Sequence, residues 1–424
     1  MKARIGSSGA GRCNAAPLYL PGPTAPAPRL LVWRYNQRTR PEQDGRQRAV
    51  SEIDGKVFPD DELTSRQRLL AAYRGEEVDR LPYWAKVTNP TWRAAQPEPV
   101  RNWSNEELLD YLHADGLVGV GHGVSVVRPH VRTERSTEGN VETRVTHTPD
   151  GDLIEQWTWD PDSASWHPTE FPVKTLADLA CFRWVYTDLE CPANEQAVAR
   201  SRAHCQQVGE RGMTLCGWGT SPLMHLVEHV IGPINVHLML LDHPDEMAEL
   251  LALMHAANVA LVRTVARNTA ADIVCSVENT STTLISPTQF REYSYQHLCD
   301  YGREIKAAGK LHELHMCGHT RVLLREINTI PAASIEAYTS PTLGNTRLVD
   351  GRTDAPSKTL VGGTNVNVWL WPLEKLQQYL AAELEACPDN RRTVLTTAGV
   401  APPGCPAEKF RAVGEWLRTV PVRQ

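Results

Sequence analysis

Eight short apolar runs constrain this chain more than any other feature, because each breaks off in small or polar residues and helical patterns or an insertion separate one from the next. They are YWAKV (83–87), DGLVGVG (115–121), MTLCGWG (213–219), ADIVCSVEN (271–279), KLHELHMCG (310–318), SIEAYTS (334–340), TLVGGTNV (359–366) and RTVLTTAGV (392–400). Runs that stay apolar along their length suit strands covered on both faces, as in a parallel sheet flanked by helices. Eight strand–helix alternations predict an α/β chain folded as a (β/α)8 TIM barrel. The helix signals agree. DELTSRQRLLAAYRG opens near Asp61 and stops at Gly75. Ser286-Pro287-Thr288-Gln289 offers an N-cap, a proline at the first helical position and a capping-box glutamine, for a helix that stops at Gly309. Long helical patterns run from Ser221 to Asn268, another covers 372–386, and the last begins at Ala407.

Between 130 and 172 the period changes. VRTERSTEGNVETRVTHTPDGDLIEQWTWD alternates polar and apolar residues and breaks at EGN and TPDG. This predicts a β-hairpin insertion over one mouth of the barrel domain, which is placed at 61–424. Residues 1–60 read as a disordered N-terminal extension, since PLYLPGPTAPAPRL is Pro-rich and carries no apolar helical stripe. Seven basic residues, Lys2, Arg4, Arg12, Arg29, Arg34, Arg38 and Arg40, precede its first acid at Glu42, which is also what a targeting segment would show.

With 424 residues and 41% of them apolar, the chain can bury a large core. A net charge of −6 without a Lys/Arg block gives no footprint for nucleic acid or an anionic membrane. No unbroken apolar run reaches the ~20 residues that span a bilayer. A soluble cytoplasmic protein with a small-molecule or protein partner is the expectation. The ten cysteines lack the spacing of a disulfide framework, so in a reducing compartment their thiols are free for metal or catalysis.

Barrel strands become functional at their C-terminal ends. The unusual polar residues collect there: Glu278 and Asn279, His315 and Cys317, Glu336 and Tyr338, Thr364 and Asn365 with Asn367 beyond, and Cys405 after the last run. His315 and Cys317 stand at i and i+2, on one side of a strand end. Cys405 sits at the matching end of the last strand. Two thiolates and an imidazole favour zinc held tetrahedrally with one open position, and Glu278 is the candidate for an exchangeable fourth ligand. A His-x-Cys pair is also what a satisfied histidine beside a packed cysteine looks like. His312 has the opposite strand parity, and Cys216, Cys275, Cys299 and Cys387 read as packing or surface residues.

TSRQRLLAAYRGEEVDRLPYW, SPLMHLVEHVIGPINVHLMLLDHPDEM and ISPTQFREY…GKLHELHMCGHT resemble successive segments of the uroporphyrinogen decarboxylase superfamily, over about residues 62–420. Within it, His-x-Cys followed far downstream by Gly-Cys is similar to the zinc motif of the corrinoid-dependent methyltransferases, such as methylcobalamin:coenzyme M methyltransferase. The resemblance implies zinc on His315, Cys317 and Cys405, a thiol acceptor activated as a zinc-bound thiolate, and a methyl donor of the methylcobalamin class. No Asp-x-His-x-x-Gly pattern is present, so the corrinoid is expected on a separate partner protein. Glu336, Tyr338, Asn365 and Asn367, with Asn279, are expected to line the substrate pocket.

The decarboxylases of the superfamily carry an arginine-rich segment after the first strand and a substrate-binding aspartate. Here WAKVTNPTWRAAQPEPVR offers Arg93 alone before Arg101, and Glu278 stands where the aspartate would fall. A metal-independent decarboxylase remains the alternative, and a non-catalytic corrinoid- or tetrapyrrole-binding barrel the third. Trp157, Trp159 and Trp166 are candidates for a homodimer interface or a pocket cap.

Overall fold

The computed structural model describes residues 55–423, so all but the last few residues of the expected N-terminal extension lie outside the described residues. Seven parallel strands form one curled sheet in the order β1 (Gly116–Gly119), β6 (Gly212–Gly219), β7 (Ile273–Val277), β8 (Leu311–His315), β9 (Ser334–Tyr338), β10 (Thr359–Gly362) and β11 (Thr393–Leu395). The strands β2 (Arg132–Glu138), β3 (Val141–Thr148), β4 (Gly151–Asp160) and β5 (Ser165–Glu170) make a separate antiparallel sheet. The eighth barrel position belongs to the YWAKV run. Tyr83 pairs in parallel with Leu395, and Trp84 N donates to Leu395 O at 2.9 Å. On the other side Asp115 N donates to Tyr83 O at 2.7 Å, which closes the ring onto the start of β1. All eight expected runs therefore occupy barrel positions.

The barrel interior is layered, because inward side chains recur every second residue along each strand. Trp84, Leu117, Met213, Ile273, Val361 and Val394 fill its lower part together with Leu69, Ala72 and Tyr73 of helix Ser65–Arg74. That helix plugs the N-terminal end. A Thr64–Gln67 capping box starts it, and Gly75 in the left-handed region (φ 74°) ends it. The same helix carries Arg68, wholly buried, whose guanidinium bonds Asp79 (2.6 Å), Asp115 (2.7 Å) and the carbonyl of Leu63 (2.9 Å). Arg80 joins Asp61 to Asp115 at 3.2 Å, and Asp115 also accepts from Tyr83 N at 2.9 Å. One charged network thus ties the plug, the first strand and β1 under the floor.

The expected helical stretch 221–268 is broken into three pieces: Pro222–His225 continued by a π-helical turn Leu226–Val230, then Asn235–Asp242, then Pro244–Asn268. Prolines at 233 and 244 supply no N–H to continue the ladder. Helix Pro244–Asn268 is 25 residues long and, by length and composition, apolar enough to cross a membrane, which a search for an unbroken apolar run misses. Its buried residues Met247, Leu250, Leu251, Met254, Val262 and Val265 form one stripe, the pattern of a helix packed by one face on a core.

The insertion folds as expected, with turns at Gly139 (φ 60°) and Gly151 (φ 145°) matching EGN and TPDG. Its edge strand β2 is exposed along its whole length and carries charged residues, which discourages pairing with another chain.

Candidate functional site at the barrel mouth

Strand parity sorts the HELHMC segment. Leu311, Glu313 and His315 share the inward face, whereas His312 points outward and bonds Ser276 Oγ at 2.8 Å. Above the apolar layer, Glu336 at the end of β9 is 3% exposed and takes two cationic partners. Lys86, at the end of the first strand, gives it a 2.8 Å bond from Nζ to Oε1, and His315 Nδ1 bonds Oε2. Burial opposes ionisation of Glu336, but Lys86 and His315 outweigh it and hold the carboxyl below its usual range. Burial likewise opposes the imidazolium of His315, yet Glu336 outweighs it and lifts that group to about 10. At neutral pH the triad is one anion between two cations. Beneath it Glu313 accepts from Tyr73 OH (2.5 Å) and Ser334 Oγ (2.9 Å), and burial together with Glu336 pushes its carboxyl upward. Protonating Glu313 leaves the surplus positive charge of the triad in place.

The rim of the mouth is organised by Asn279. Its backbone lies in the left-handed region (φ 47°), which asparagine tolerates better than most residues, and its N–H donates to His315 O at 2.9 Å. Its side chain works in both directions: Oδ1 accepts from Cys317 Sγ at 3.4 Å, and Nδ2 donates to Glu228 Oε2 at 2.8 Å. Cys317 is the one exposed cysteine among the described residues. Glu228 rides on the π-helical turn, and its Oε1 is buried without a hydrogen-bond partner. Burial raises its carboxyl to about 7, against the lowering pull of Asn279 and His315.

His315, Cys317, Asn279 and Glu336 therefore come together, whereas Glu278, Tyr338 and Asn365 spend their polar groups on other partners. Glu278 is fully buried and receives Ser221 N (2.7 Å) and Ser221 Oγ (2.6 Å), so it anchors the start of helix Pro222–His225. Tyr338 OH bonds the carbonyl of Arg347 at 2.9 Å. Asn365 uses its amide on Ser340 Oγ (3.1 Å) and Pro341 O (2.7 Å) while its Oδ1 caps Asn367 N (3.0 Å), and Asn367 is exposed on the loop beyond.

Cys405 is fully buried in the apolar layer outside the barrel. Its carbonyl accepts from Trp92 Nε1 at 2.8 Å, its thiol lies 3.9 Å from Pro406 O, and burial pushes that thiol up to about 12. Among the described residues no three His, Cys, Asp or Glu side chains are grouped as a metal site. The donors as placed do not fit the expected zinc centre, because Cys405 and Glu278 are committed to packing and to a helix start.

Three residues at the mouth escaped the sequence reading. Lys86 carried a signal, being a lysine in an otherwise apolar strand run. Glu313 carried another, sharing the parity of His315. Glu228 carried none, since only the π-turn brings it to Asn279.

The family model described as uroporphyrinogen decarboxylase (URO-D) matches residues 175–420, more than half of the chain. Among solved structures, a methyltransferase from Methanosarcina mazei is similar at TM-score 0.53 and 16% sequence identity, over 84% of this chain and 99% of that one. At that identity the likeness is one of fold. No curated protein matches the chain.

Proposed function

This chain belongs to the uroporphyrinogen decarboxylase family, and from that premise we propose that it is a methyltransferase, moving a methyl group between a corrinoid on a partner protein and a small thiol acceptor at the barrel mouth. The observation that carries this is the charge of the Lys86–Glu336–His315 triad. Two cations against one carboxylate favour an anion bound at the open end, and a neighbouring imidazolium lowers a thiol's pKa. Bringing a thiol from ~8.5 to ~7 takes about 2 kcal/mol. One unit charge at ~4 Å supplies about 4 kcal/mol at an effective dielectric near 20. The protein's own charges are thus sufficient to hold a thiolate, and no step is routed through a metal.

Partner docking is supported by the loops that leave the strands. Val277, Val322, Leu343, Leu370 and Val400 follow or end β7 to β11 and are all exposed, which gives the C-terminal face an apolar rim. The decarboxylase alternative called for an arginine-lined pocket. The buried Arg68 and Arg80 are tied to aspartates under the floor instead, and the cations at the mouth are Lys86 and His315.

The test is to incubate the chain with methylcobalamin and either 2-mercaptoethanesulfonate or homocysteine, following corrinoid absorbance and thioether mass. Thioether should form, and Lys86→Met should slow it by roughly 10²-fold, on the scale of losing one electrostatic stabiliser. Absence of thioether with both thiols would overturn the proposal.

A further inference from the structure

A thiol that becomes a thiolate must give its proton to something, and neither cation of the triad can take it. Lys86 Nζ and His315 Nδ1 are both spent on Glu336. The mouth therefore needs a base. Glu313 has Oε2 occupied by Tyr73 and Ser334 and lies beneath Glu336, while Glu278 spends both oxygens on Ser221.

We infer that Glu228 is the proton acceptor for the incoming thiol, an inference that rests on the methyl-transfer reading above. Its Oε2 is fixed by Asn279, the residue that also holds Cys317, while its Oε1 is buried and unpartnered. The other buried carboxylate oxygen without a partner among the described residues, on Glu142, belongs to the hairpin sheet, where Arg144 takes its sister oxygen. The π-turn is what delivers Glu228, and such turns occur frequently at functional sites.

The titratable groups facing Glu228 are His315 from β8, Glu278 from the loop after β7, and His229, whose Nε2 is 3.6 Å away on the same turn. Arg144 of β3 faces His229 in turn. A carboxyl titrating near neutrality is matched to a thiol. In the step, the acceptor's S–H bond breaks, the proton passes to Glu228 Oε1 and the sulfur keeps the electron pair. That pair forms the new S–CH3 bond as the donor's bond to methyl breaks, its electrons staying with the corrinoid. Glu228 then returns the proton to water.

The test compares Glu228→Gln with the wild-type chain, using methylcobalamin as donor and either 2-mercaptoethanesulfonate or thioacetate as acceptor. Thioacetate is already ionised in water and needs no base. With the alkyl thiol the variant should lose about 10²-fold at neutral pH, recovering as pH rises and the thiol ionises by itself. With thioacetate it should match the wild type, and Glu228→Asp should restore part of the alkyl-thiol rate. An equal loss with both acceptors, an unchanged alkyl-thiol rate, or an Asp variant as slow as the Gln variant would each overturn the inference while leaving methyl transfer standing. A wild-type chain that methylates neither acceptor overturns the methyl-transfer reading, and this inference with it.

Discussion

The two ends of the barrel use buried charge in opposite ways. At the floor, Arg68 and Arg80 meet Asp61, Asp79 and Asp115 in a network of short bonds, closed further by backbone donors such as Tyr83 N. At the mouth, Glu336 bonds both Lys86 and His315 with Glu313 beneath it, and an oxygen of Glu228 has no hydrogen-bond partner. A buried charge that is fully paired and hydrogen-bonded holds elements together, whereas a surplus charge or a free acceptor is a place for something else to bind. The contrast separates residues whose loss should unfold the barrel from residues whose loss should disarm it.

The sharpest way to break that contrast is at Asp115, which is wholly buried and bonds both arginines. Asp115→Ala removes the carboxylate that Arg68 and Arg80 share, leaving Arg68 to Asp79 and Arg80 to Asp61, and removing one partner of a buried ion pair costs up to about 3–5 kcal/mol. The urea midpoint should fall accordingly, while methyl transfer per folded molecule stays near the wild-type rate. A variant as stable as the wild type, or one that is folded and inactive, would mean that the floor is not the purely structural end.

Glu336→Gln probes the opposite end, with a smaller effect on stability and a larger one on chemistry. His315 has a folded value of about 10 against an ordinary 6.5, so its contribution is full below 6.5 and is lost as pH rises through about 10. Glu336 is held below its ordinary 4.5, so its contribution is full above 4.5 and is lost as pH falls toward its depressed folded value. The triad is therefore at full strength from 4.5 to 6.5. The variant should flatten both flanks of the stability–pH curve measured by denaturant titration, and methyl transfer should drop by roughly 10²-fold. An unchanged alkaline flank would show that Glu336 does not hold the His315 proton.

The same division explains what could be read from the residues alone. Apolar runs ending in polar residues located every barrel position, because burial on both faces imposes its pattern on each strand independently. The hairpins were legible for a similar reason, since their turns and alternation are local. The mouth was legible only where strand parity speaks, which places His315 inward and His312 outward. Parity says nothing about loops. Asn365 and Asn367 were expected in the pocket because they follow a strand, yet they build a loop. Tyr338, which ends β9 with the parity of Glu336, turns to Arg347 O because Ala337 lies in the left-handed region (φ 57°) and shifts the register there. Glu228 was invisible, because a π-turn shifts helical register without any signature in residue type. Matching strand ends also overestimated Cys405, which lies in a loop whose path decides whether its thiol faces the lumen or the helices.

Cys317 and Cys405 carry the contrast down to single thiols, with the smallest effects expected. Cys317 is exposed beside Asn279, and Cys405 is sealed in the apolar layer. A hydroxyl in place of a buried thiol with no good acceptor costs about 1–2 kcal/mol, so Cys405→Ser should lower the urea midpoint modestly and leave the methyl-transfer rate alone. Cys317→Ser should do the reverse, with stability within about 0.5 kcal/mol of wild type, as at most exposed sites, and slower transfer. Repeating both measurements with a chelator decides between packing and ligation for Cys405. A packing residue gives the same loss with and without chelator. A zinc ligand would instead make the wild-type chain as unstable as the variant once the metal is stripped, because metal bound only by the folded state stabilises by its own binding free energy. That second outcome would move Cys405 from the wall of the barrel to its mouth.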